Sequence, residues 1–271
     1  MNTNSISIVK IGGSAIFKEE YKIPDVIKKI NKKVILVYGY SRKLNELIDI
    51  TQYNRKRYIS ASGIESYKVD NKMLEYSIMA NGVQATNLIH TLQLQNLNAI
   101  SLTGLNKNMI KAIRKSPRYY ENGCLVKLKG DNSGKINFIN FEAIMELFCF
   151  YDVICLGPIL YSDDGPLVCD ADNLAVKLAL AMRVNNLTLF TDQHGVIVNK
   201  DIVARITSGT IDSYIDLTSE GMRKKLKIVK PLVRNHNTSV TITNLDNFLN
   251  DTNVYTLITN EVNKNDEIFT Y

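Results

Sequence analysis

The segment 6–14 restricts the fold and chemistry of this chain more than any other. An apolar run, ISIVKI, has Lys10 as its penultimate residue and is followed directly by Gly12, Gly13 and Ser14. Glycines let backbone N–H groups approach an anion closely, and a lysine ammonium can neutralise its charge. The pattern predicts a strand that leads into a phosphate-binding turn, although a strand followed by an ordinary Gly-Gly turn would have the same letters.

Apolar strand patterns alternate with helical ones along most of the chain. This alternation predicts right-handed crossovers and a doubly wound, mainly parallel sheet. The predicted strands are Ser5–Ile11, Val34–Tyr38, Ala99–Leu102, Asp152–Leu156 and Leu187–Thr191. The predicted helices are Pro24–Asn31, Arg42–Ile50, Asp70–Leu94, Phe141–Phe150, Asp172–Val184 and Ser219–Arg234.

One region interrupts this alternation. Cys124–Lys129 and Lys135–Ile139 flank a polar stretch, Gly130–Gly134, that is rich in turn-forming residues. The pattern predicts that these two runs pair as a β-hairpin projecting from the sheet.

Composition excludes several classes of protein. With 271 residues and 45% hydrophobic content, the chain can bury a sizeable core, which excludes disordered and fibrous proteins. It contains no apolar run of about 18 residues and no signal-peptide pattern, so we expect a cytoplasmic protein without a membrane segment. The four cysteines form no CxxC pair and predict reduced core residues, and the three histidines are too scattered for a metal centre.

Charge gives a weaker indication. The chain has 33 basic and 27 acidic residues, for a net charge of +6, which favours an anionic ligand or an acidic partner. Solvated helix faces explain many of the lysine clusters equally well. Aromatic residues do not alternate with the basic runs, so we expect no nucleic-acid partner.

Polar signals follow several predicted strands. Gly39 follows the second strand, Thr103 and Gly104 follow a later one, and Thr191 and Asp192 end the fifth. Ligands of open parallel sheets bind at the carboxyl ends of the strands, so these residues and the Lys10–Gly13 turn should share one edge. The coincidence favours a phosphate-handling α/β enzyme.

Five segments in order carry a resemblance to a known family. They are 9–14 (VKIGGS), 98–104 (NAISLTG), 170–172 (DAD), 190–196 (FTDQHGV) and 221–225 (GMRKK). Together they resemble the amino acid kinase family, in its branch of N-acetylglutamate kinases and kinases of LysW-bound aminoadipate or glutamate. The resemblance implies a three-layer αβα sandwich with a projecting β-hairpin. It also implies an N-terminal lobe, 1–168, for acceptor binding and dimerisation and a C-terminal lobe, 169–271, for ATP.

The implied reaction transfers the γ-phosphoryl group of ATP to a side-chain carboxylate, which requires extensive charge neutralisation. The resemblance assigns Lys10 to the attacking side, Lys225 to the leaving side and Asp172 to holding both lysines. A capping role for Asp170 or Asp172 at a helix N-terminus is the alternative interpretation. Mg²⁺ is expected to arrive with ATP, without a dedicated metal cage in the protein. The implied nucleotide-binding residues are Gly12, Gly13, Gly39, Thr191, Asp192 and Gly195.

The acceptor side departs from the family pattern. Tyr67 stands where the carrier-dependent branch has an arginine that binds the substrate's backbone carboxylate, and Lys68 could provide a point charge instead. Tyr40 replaces a glycine and is expected to add bulk near the phosphates. Val168 replaces an asparagine that touches substrate in the acetylglutamate kinases. The implied acceptor-binding residues are Ser62, Gly63, Tyr67, Lys68, Val168 and Asp170.

The resemblance implies a homodimer through the helix Asp70–Leu94. A small acidic LysW-type carrier protein is the expected partner, and Lys127, Lys129 and Lys135 of the predicted hairpin could attract it electrostatically. Solvation of an exposed hairpin explains these lysines equally well. Two alternatives remain: a kinase of free N-acetyl-L-glutamate, and a weakened homologue that binds nucleotide or amino acids as a regulatory subunit.

Overall fold

The computed structural model describes residues 5–61, 65–121, 123–236 and 238–260. The strands are β1 (Ile6–Ile11), β2 (Lys33–Tyr38), β3 (Arg57–Ile59), β4 (Glu65–Tyr67), β5 (Ala99–Thr103), β6 (Ile110–Arg114), β7 (Arg118–Glu121), β8 (Cys124–Lys127), β9 (Gly134–Ile139), β10 (Val153–Gly157), β11 (Ile159–Leu160), β12 (Leu167–Val168), β13 (Asn186–Phe190), β14 (Ile197–Val198), β15 (Asp201–Ile202), β16 (Arg205–Thr207), β17 (Ser239–Thr243) and β18 (Thr256–Thr259). The α-helices are α1 (Gly13–Glu19), α2 (Ile23–Ile30), α3 (Ser41–Thr51), α4 (Asn71–Leu94), α5 (Phe141–Leu147), α6 (Ala171–Met182), α7 (Ile211–Leu217), α8 (Glu220–Asn235) and α9 (Leu245–Leu249).

A central sheet has the strand order β16-β18-β17-β13-β1-β2-β10-β5. Neighbouring strands are parallel except for β17 and β18. The five predicted strands form the adjacent set β13-β1-β2-β10-β5, so the predicted doubly wound, mainly parallel sheet is confirmed. The sequence interpretation missed β16, β17 and β18, which complete the sheet on the C-terminal side.

Alternating residues of the strands build two cores. On β1, Ile8 packs with α5, α6, α7 and α8 on one face, whereas Val9 and Ile11 pack with α1, α2, α4 and α9 on the other. Because side chains alternate along a strand, Lys10 points to the same face as Ile8. The only lysine of β1 is therefore directed towards α6 and α8.

The predicted hairpin is wrong in its pairing. Cys124–Lys127 pairs with Arg118–Glu121, and Gly134–Ile139 pairs with Ile110–Arg114, both antiparallel. The polar stretch between the two predicted arms is not an exposed turn, since Asp131 and Asn132 are buried. Alternating sequence patterns identify strands but not their partners, and here each arm pairs with a strand that precedes it. The projecting hairpin is β7–β8, and Lys135 lies in a separate ladder.

Two other sequence expectations need adjustment. Cys155 and Cys169 are buried as expected, but Cys124 and Cys149 are exposed, so only two of the four thiols are core residues. The predicted helices are all present, and their ends differ from the predicted ones by at most three residues. Among the described residues, no helix combines the length and apolar character needed to cross a membrane.

Candidate active site

Two lysines meet at one buried carboxylate. The Nζ of Lys10 lies 2.6 Å from Asp172 Oδ1, and the Nζ of Lys225 donates a hydrogen bond of 2.6 Å to Asp172 Oδ2. Lys10 and Asp172 are buried, and the Lys225 side chain is 16% exposed. The Lys10 contact is an ion pair without hydrogen-bond geometry. We call this group the Lys-Asp-Lys cluster.

Three elements position this cluster. Lys10 is on β1, Asp172 is in the first turn of α6, and Lys225 is on α8. The helices α6 and α8 pack on the face of the sheet to which Lys10 points. The fold thereby brings together Lys10 and Lys225, which are 215 positions apart in the sequence. The N-terminus of α6 also favours a carboxylate at this place because of the helix dipole.

Burial and charge oppose each other in the cluster. Burial is the largest influence on Asp172 and favours its neutral form, but Lys10 and Lys225 outweigh it and hold the pKa of this carboxyl well below its usual range. Burial likewise opposes the charge on Lys10, yet Asp172 raises its pKa. Burial, followed by repulsion from Lys10, lowers the pKa of Lys225. Lys225 is thus the ammonium of the pair that loses its proton more easily.

The glycine turns pack against each other beside the cluster. A Cβ on Gly13 would lie 2.6 Å from Ser41 Oγ, and a Cβ on Gly39 would lie 2.8 Å from the backbone nitrogen of Gly13. The sequence interpretation gave the amides of Gly12 and Gly39 to phosphates. Instead, Gly12 N–H donates to Phe190 O and Gly39 N–H to Ile11 O. Glycine is required here for close backbone approach.

Free amides are nevertheless present at this edge of the sheet. The helices α1 and α3 both begin here, at Gly13 and Ser41, and the first-turn N–H groups of a helix have no intrahelical acceptor. Ile16 N–H donates to Gly12 O and Leu44 N–H to Tyr40 O, whereas within the described part of the chain no backbone carbonyl accepts from the amides of residues 13–15 or 41–43. The two helix N-termini lie together, since Gly13 contacts Ser41, and a Cβ on Gly12 would lie 3.7 Å from the Lys10 Nζ, an arrangement that suits a polyphosphate.

The expected nucleotide residues follow β13. Thr191 is buried, and its hydroxyl donates to Asp192 Oδ1 at 3.2 Å. Asp192 is exposed. A Cβ on Gly195 would lie 2.8 Å from Thr256 Oγ1, so this glycine permits the chain to pass close to β18. The sequence analysis did not assign His194, whose Nδ1 lies 3.1 Å from the side-chain amide nitrogens of Asn244 and Asn247.

Asp170 both caps α6 and holds a third lysine. Its Oδ1 accepts from the backbone N–H groups of Asp172 and Asn173 at 2.9 and 3.3 Å. Its Oδ2 lies 3.0 Å from the Nζ of Lys224. The capping alternative thus holds for Asp170, in addition to an ion pair that the sequence analysis did not identify. Three ammonium groups and two carboxylates leave one positive charge in excess here.

The side chain of Tyr40 is buried against α4. It is 6% exposed and packs with Ala80, Ile159 and the half-buried Val168. Burial raises the pKa of its hydroxyl, which is hydrogen-bonded to Ser77. The expectation that Tyr40 adds bulk at the phosphates is not met, because the ring belongs to this apolar cluster. It does border Val168, one of the expected acceptor residues.

Tyr38, on the other side of Gly39, is also hydrogen-bonded to α4. Its hydroxyl is 3.2 Å from Ser101 Oγ and also contacts Asn81, and burial raises its pKa to about 12. The Oδ1 of Asn81 is buried without a hydrogen-bond partner in the described chain and faces Gly157. Helix α4 therefore anchors both tyrosines that flank Gly39.

Tyr67 is covered by two arginines. The guanidinium of Arg55 lies 4.3 Å from the ring centroid and that of Arg57 lies 5.1 Å away. Arg55 also donates to Asn45 at 3.0 Å, and Arg57 pairs with Glu65. Basic groups are thus present around position 67 although the expected arginine is absent. Ser62 and Gly63 lie outside the described residues.

The buried segment 131–132 joins the acceptor-side residues. Asp131 Oδ1 accepts from the Val69 N–H at 2.8 Å, next to Lys68. The carbonyl of Asn132 accepts from the Val168 N–H at 2.9 Å. Arg114 donates to the Asp131 carbonyl and to the Asn132 side chain. This buried connection was not identified from the sequence, which assigned these residues to an exposed turn.

The side chains here do not fit a resident metal ion. Asp170 and Asp172 are both paired with lysines, and in the described ranges no three His, Cys, Asp or Glu residues are grouped as a metal site requires. A divalent cation at this site would be held by its nucleotide rather than by these carboxylates.

Comparison with solved structures supports the fold. A protein from Streptococcus mutans UA159 superposes with a TM-score of 0.75 at 22% identity, covering 94% of this chain and 99% of the other. Carbamate kinase from Giardia superposes with a TM-score of 0.65 at 15% identity, covering 95% and 99%. The predicted three-layer fold is confirmed.

Sequence comparison identifies relatives over most of the chain. Proteins named [LysW]-aminoadipate/[LysW]-glutamate kinase from Sulfolobus acidocaldarius and Saccharolobus solfataricus are 29% and 30% identical, each covering 84% of this chain and 88% of the relative. The family profile described as "Amino acid kinase family" matches residues 5–244. The family expected from the five sequence segments is therefore confirmed: this chain belongs to the amino acid kinase family, and the relatives compared above are named as kinases.

Proposed function

We propose that this protein is an ATP-dependent kinase that phosphorylates the side-chain carboxylate of an N-blocked acidic amino acid. The acceptor is aminoadipate or glutamate on a LysW-type carrier, and the product is an acyl phosphate for lysine or arginine biosynthesis. The Lys-Asp-Lys cluster is the observation that carries this proposal. The names of the relatives support the choice of acceptor.

Each residue of the cluster has a defined task in this reaction. Lys10 binds the attacking carboxylate and the phosphoryl oxygens, and Lys225 stabilises charge on the leaving side. Asp172 fixes both ammonium groups at 2.6 Å contacts, so they do not need to reorganise as negative charge moves between oxygens. Lysine suits both positions because a compact ammonium can follow moving oxygens.

The two halves of the chain divide the binding tasks. Residues 1–168 bind the acceptor, and 169–271 bind ATP through the residues after β13. The first-turn amides of α1 and α3, which belong to the N-terminal half, contribute to binding the phosphates at the boundary. Magnesium arrives with the nucleotide and shields its phosphates. The reaction takes place in the cytoplasm.

Coupled release of ADP tests the proposal. We expect turnover with carrier-bound aminoadipate or glutamate to be more efficient than with free N-acetyl-L-glutamate. Lys10→Ala and Lys225→Ala should each lower kcat by roughly 10²- to 10³-fold, because each removes a preorganised charge. Lys18→Ala, which changes an exposed lysine of α1, is the control. ATP binding without turnover of either acceptor would instead indicate a nucleotide-binding regulatory protein.

We propose that the hairpin β7–β8 contacts the carrier. Lys127 and Lys129 are exposed at its base, and Arg118 lies exposed on the facing strand. An acidic carrier would be steered to this surface, with an association rate that falls as salt increases. Charge reversal of Lys127 and Lys129 should raise KM for the carrier conjugate and leave KM for ATP unchanged.

We also propose a homodimer through α4. One face of this helix packs on the sheet, whereas Ile78, Met79 and Val83 are exposed at 42%, 52% and 48%. A Cβ on Gly82 would meet open space, so a second helix could approach closely here. Light scattering after chromatography should give twice the chain mass for the wild type and the single-chain mass for Met79→Glu/Val83→Lys.

A further inference from the structure

Lys224 lies beside the Lys-Asp-Lys cluster without belonging to it. Successive residues of a helix point about 100° apart, so Lys225 reaches Asp172 while Lys224 turns to Asp170. The Lys224 side chain is 52% exposed, compared with 16% for Lys225. Exposed ion pairs contribute little to stability and can exchange partners at low cost. Lys224 is thus the cation of the site that can change its partner.

The surroundings of Lys224 belong to the acceptor side. Its partner Asp170 follows Val168 and Cys169 in the chain, and Val168 packs with Tyr40. The Lys224 charge also acts on Tyr58 of β3, where it opposes the rise in pKa caused first by burial and then by Asp131. Lys224 therefore lies beside the start of α6, and its charge reaches Tyr58 on the acceptor side.

A bound acceptor brings two negative groups into this region. Its side-chain carboxylate must reach the cluster to attack the phosphoryl group, and its α-carboxylate lies a few bonds away. Lys10 and Lys225 are committed to Asp172 and to the transferred group. Lys224 is the further ammonium adjacent to them, and Asp170 raises its pKa and keeps it charged.

We propose that Lys224 recognises the non-reacting carboxylate of the acceptor and so acts as a specificity residue. When the acceptor binds, the Lys224 ammonium pairs with this carboxylate, either in place of Asp170 or in addition to it. Asp170 is a positioning residue in this view, since it holds Lys224 through Oδ2 while Oδ1 caps α6. The inference deepens the proposed function and rests on it.

The test compares an acceptor with its amide. The probe is the acceptor that the wild type phosphorylates or, if it phosphorylates none, N-acetyl-L-glutamate, each with the non-reacting carboxylate free or converted to an amide. Calorimetry with a non-hydrolysable ATP analogue measures binding, and ADP release measures KM and kcat. The variants are Lys224→Ala and Lys224→Arg, with Lys227→Ala as a control on an exposed lysine of the same helix.

The wild type and Lys227→Ala should bind the free acid roughly 10- to 100-fold more tightly than the amide. Lys224→Ala should lose this preference through KM, with kcat and affinity for the ATP analogue little changed, and Lys224→Arg should restore part of it. The inference is overturned if Lys224→Ala keeps the preference, if it weakens the ATP analogue instead, or if the wild type binds neither form. Absence of turnover in a wild type that still discriminates would refute the kinase proposal alone.

Discussion

Replacing Asp172 by asparagine tests the energetics of the Lys-Asp-Lys cluster. The substitution keeps the shape of the side chain and removes its charge, which leaves two ammonium groups close together without a counter-ion. Both ion pairs are 2.6 Å long, and the Asp172 side chain is only 10% exposed. Breaking a buried pair of this kind costs about 3–5 kcal/mol, so we expect a loss of that size in the free energy of unfolding.

Urea unfolding at several pH values measures this loss. The pKa of Asp172 is lowered by folding, so its contribution is present above the unfolded value near 3.8 and is lost as pH falls through the lower folded value. The deficit of Asp172→Asn should therefore be constant between about pH 5 and 8. The loss of stability caused by Asp172→Asn should become smaller near pH 10, because the two lysines without a counter-ion can then lose their protons.

Asp212 provides a matched control. This carboxylate also lies between two cations, Lys230 at 2.5 Å and Arg234 at 2.9 Å, but its side chain is 54% exposed. Asp212→Asn should lose much less stability, because water and salt screen an exposed pair. Equal losses for Asp172→Asn and Asp212→Asn would refute the argument that burial makes the cluster energetically sensitive.

Three further predictions follow from other contacts. Tyr40→Ala should lower the free energy of unfolding by about 3–5 kcal/mol and Tyr40→Phe by about 1 kcal/mol in urea titrations, because the ring fills the core beneath α4. The alkaline limb of kcat/KM for ATP should lie below pH 10.5, because burial and Lys10 lower the pKa of Lys225; the limb of kcat should lie higher, since bound phosphates favour the ammonium. A limb at or above pH 10.5 would contradict this. Gly157→Ala should cost at least about 1–3 kcal/mol in thermal unfolding, because its Cβ would lie 2.1 Å from Asn81 Oδ1, whereas Gly221→Ala, with open space around it, should be nearly neutral.

The sequence predicted five of the eight strands of the central sheet, those that are apolar and separated by helices. These strands are buried on both faces, so their letters form continuous apolar runs. The three missed strands lie on the C-terminal side, where β16 is three residues long and β18 four. Alternation in β17 (SVTIT) was a usable signal, but strands as short as β16 and β18 resemble loops in composition.

The candidate site divides in a similar way. Lys10, Asp172 and Lys225 could be identified because family motifs mark them. They meet because side chains alternate along β1, which directs Lys10 to one face of the sheet, and because right-handed crossovers place α6 and α8 on that face. The sequence alone could not show that Lys224 belongs to the site, because a lysine at this position could equally well be a solvated surface residue. Its partner Asp170 was explained equally well as a helix cap, and the structure shows one oxygen in each role.

Residues 130–134 show why pairing is harder to predict than secondary structure. A polar stretch between two strand patterns normally indicates an exposed turn, because buried polar groups need partners. Here the partners come from distant segments: Val69 N–H, Val168 N–H and Arg114 satisfy Asp131 and Asn132. Since those partners lie 17 to 62 positions away, no local pattern could reveal them.

The tyrosines at positions 38 and 40 connect the proposed dimer helix to the phosphate turn. Both flank Gly39, and both are hydrogen-bonded to α4, through Asn81 and Ser77. The opposite face of α4 carries the exposed apolar residues of the proposed dimer contact. A displacement of α4 would therefore move the backbone at Gly39, which packs on Gly13 with no space for a side chain. If the dimer forms there, its dissociation should weaken ATP binding, and a monomeric Met79→Glu/Val83→Lys variant with unchanged ATP affinity would refute that coupling.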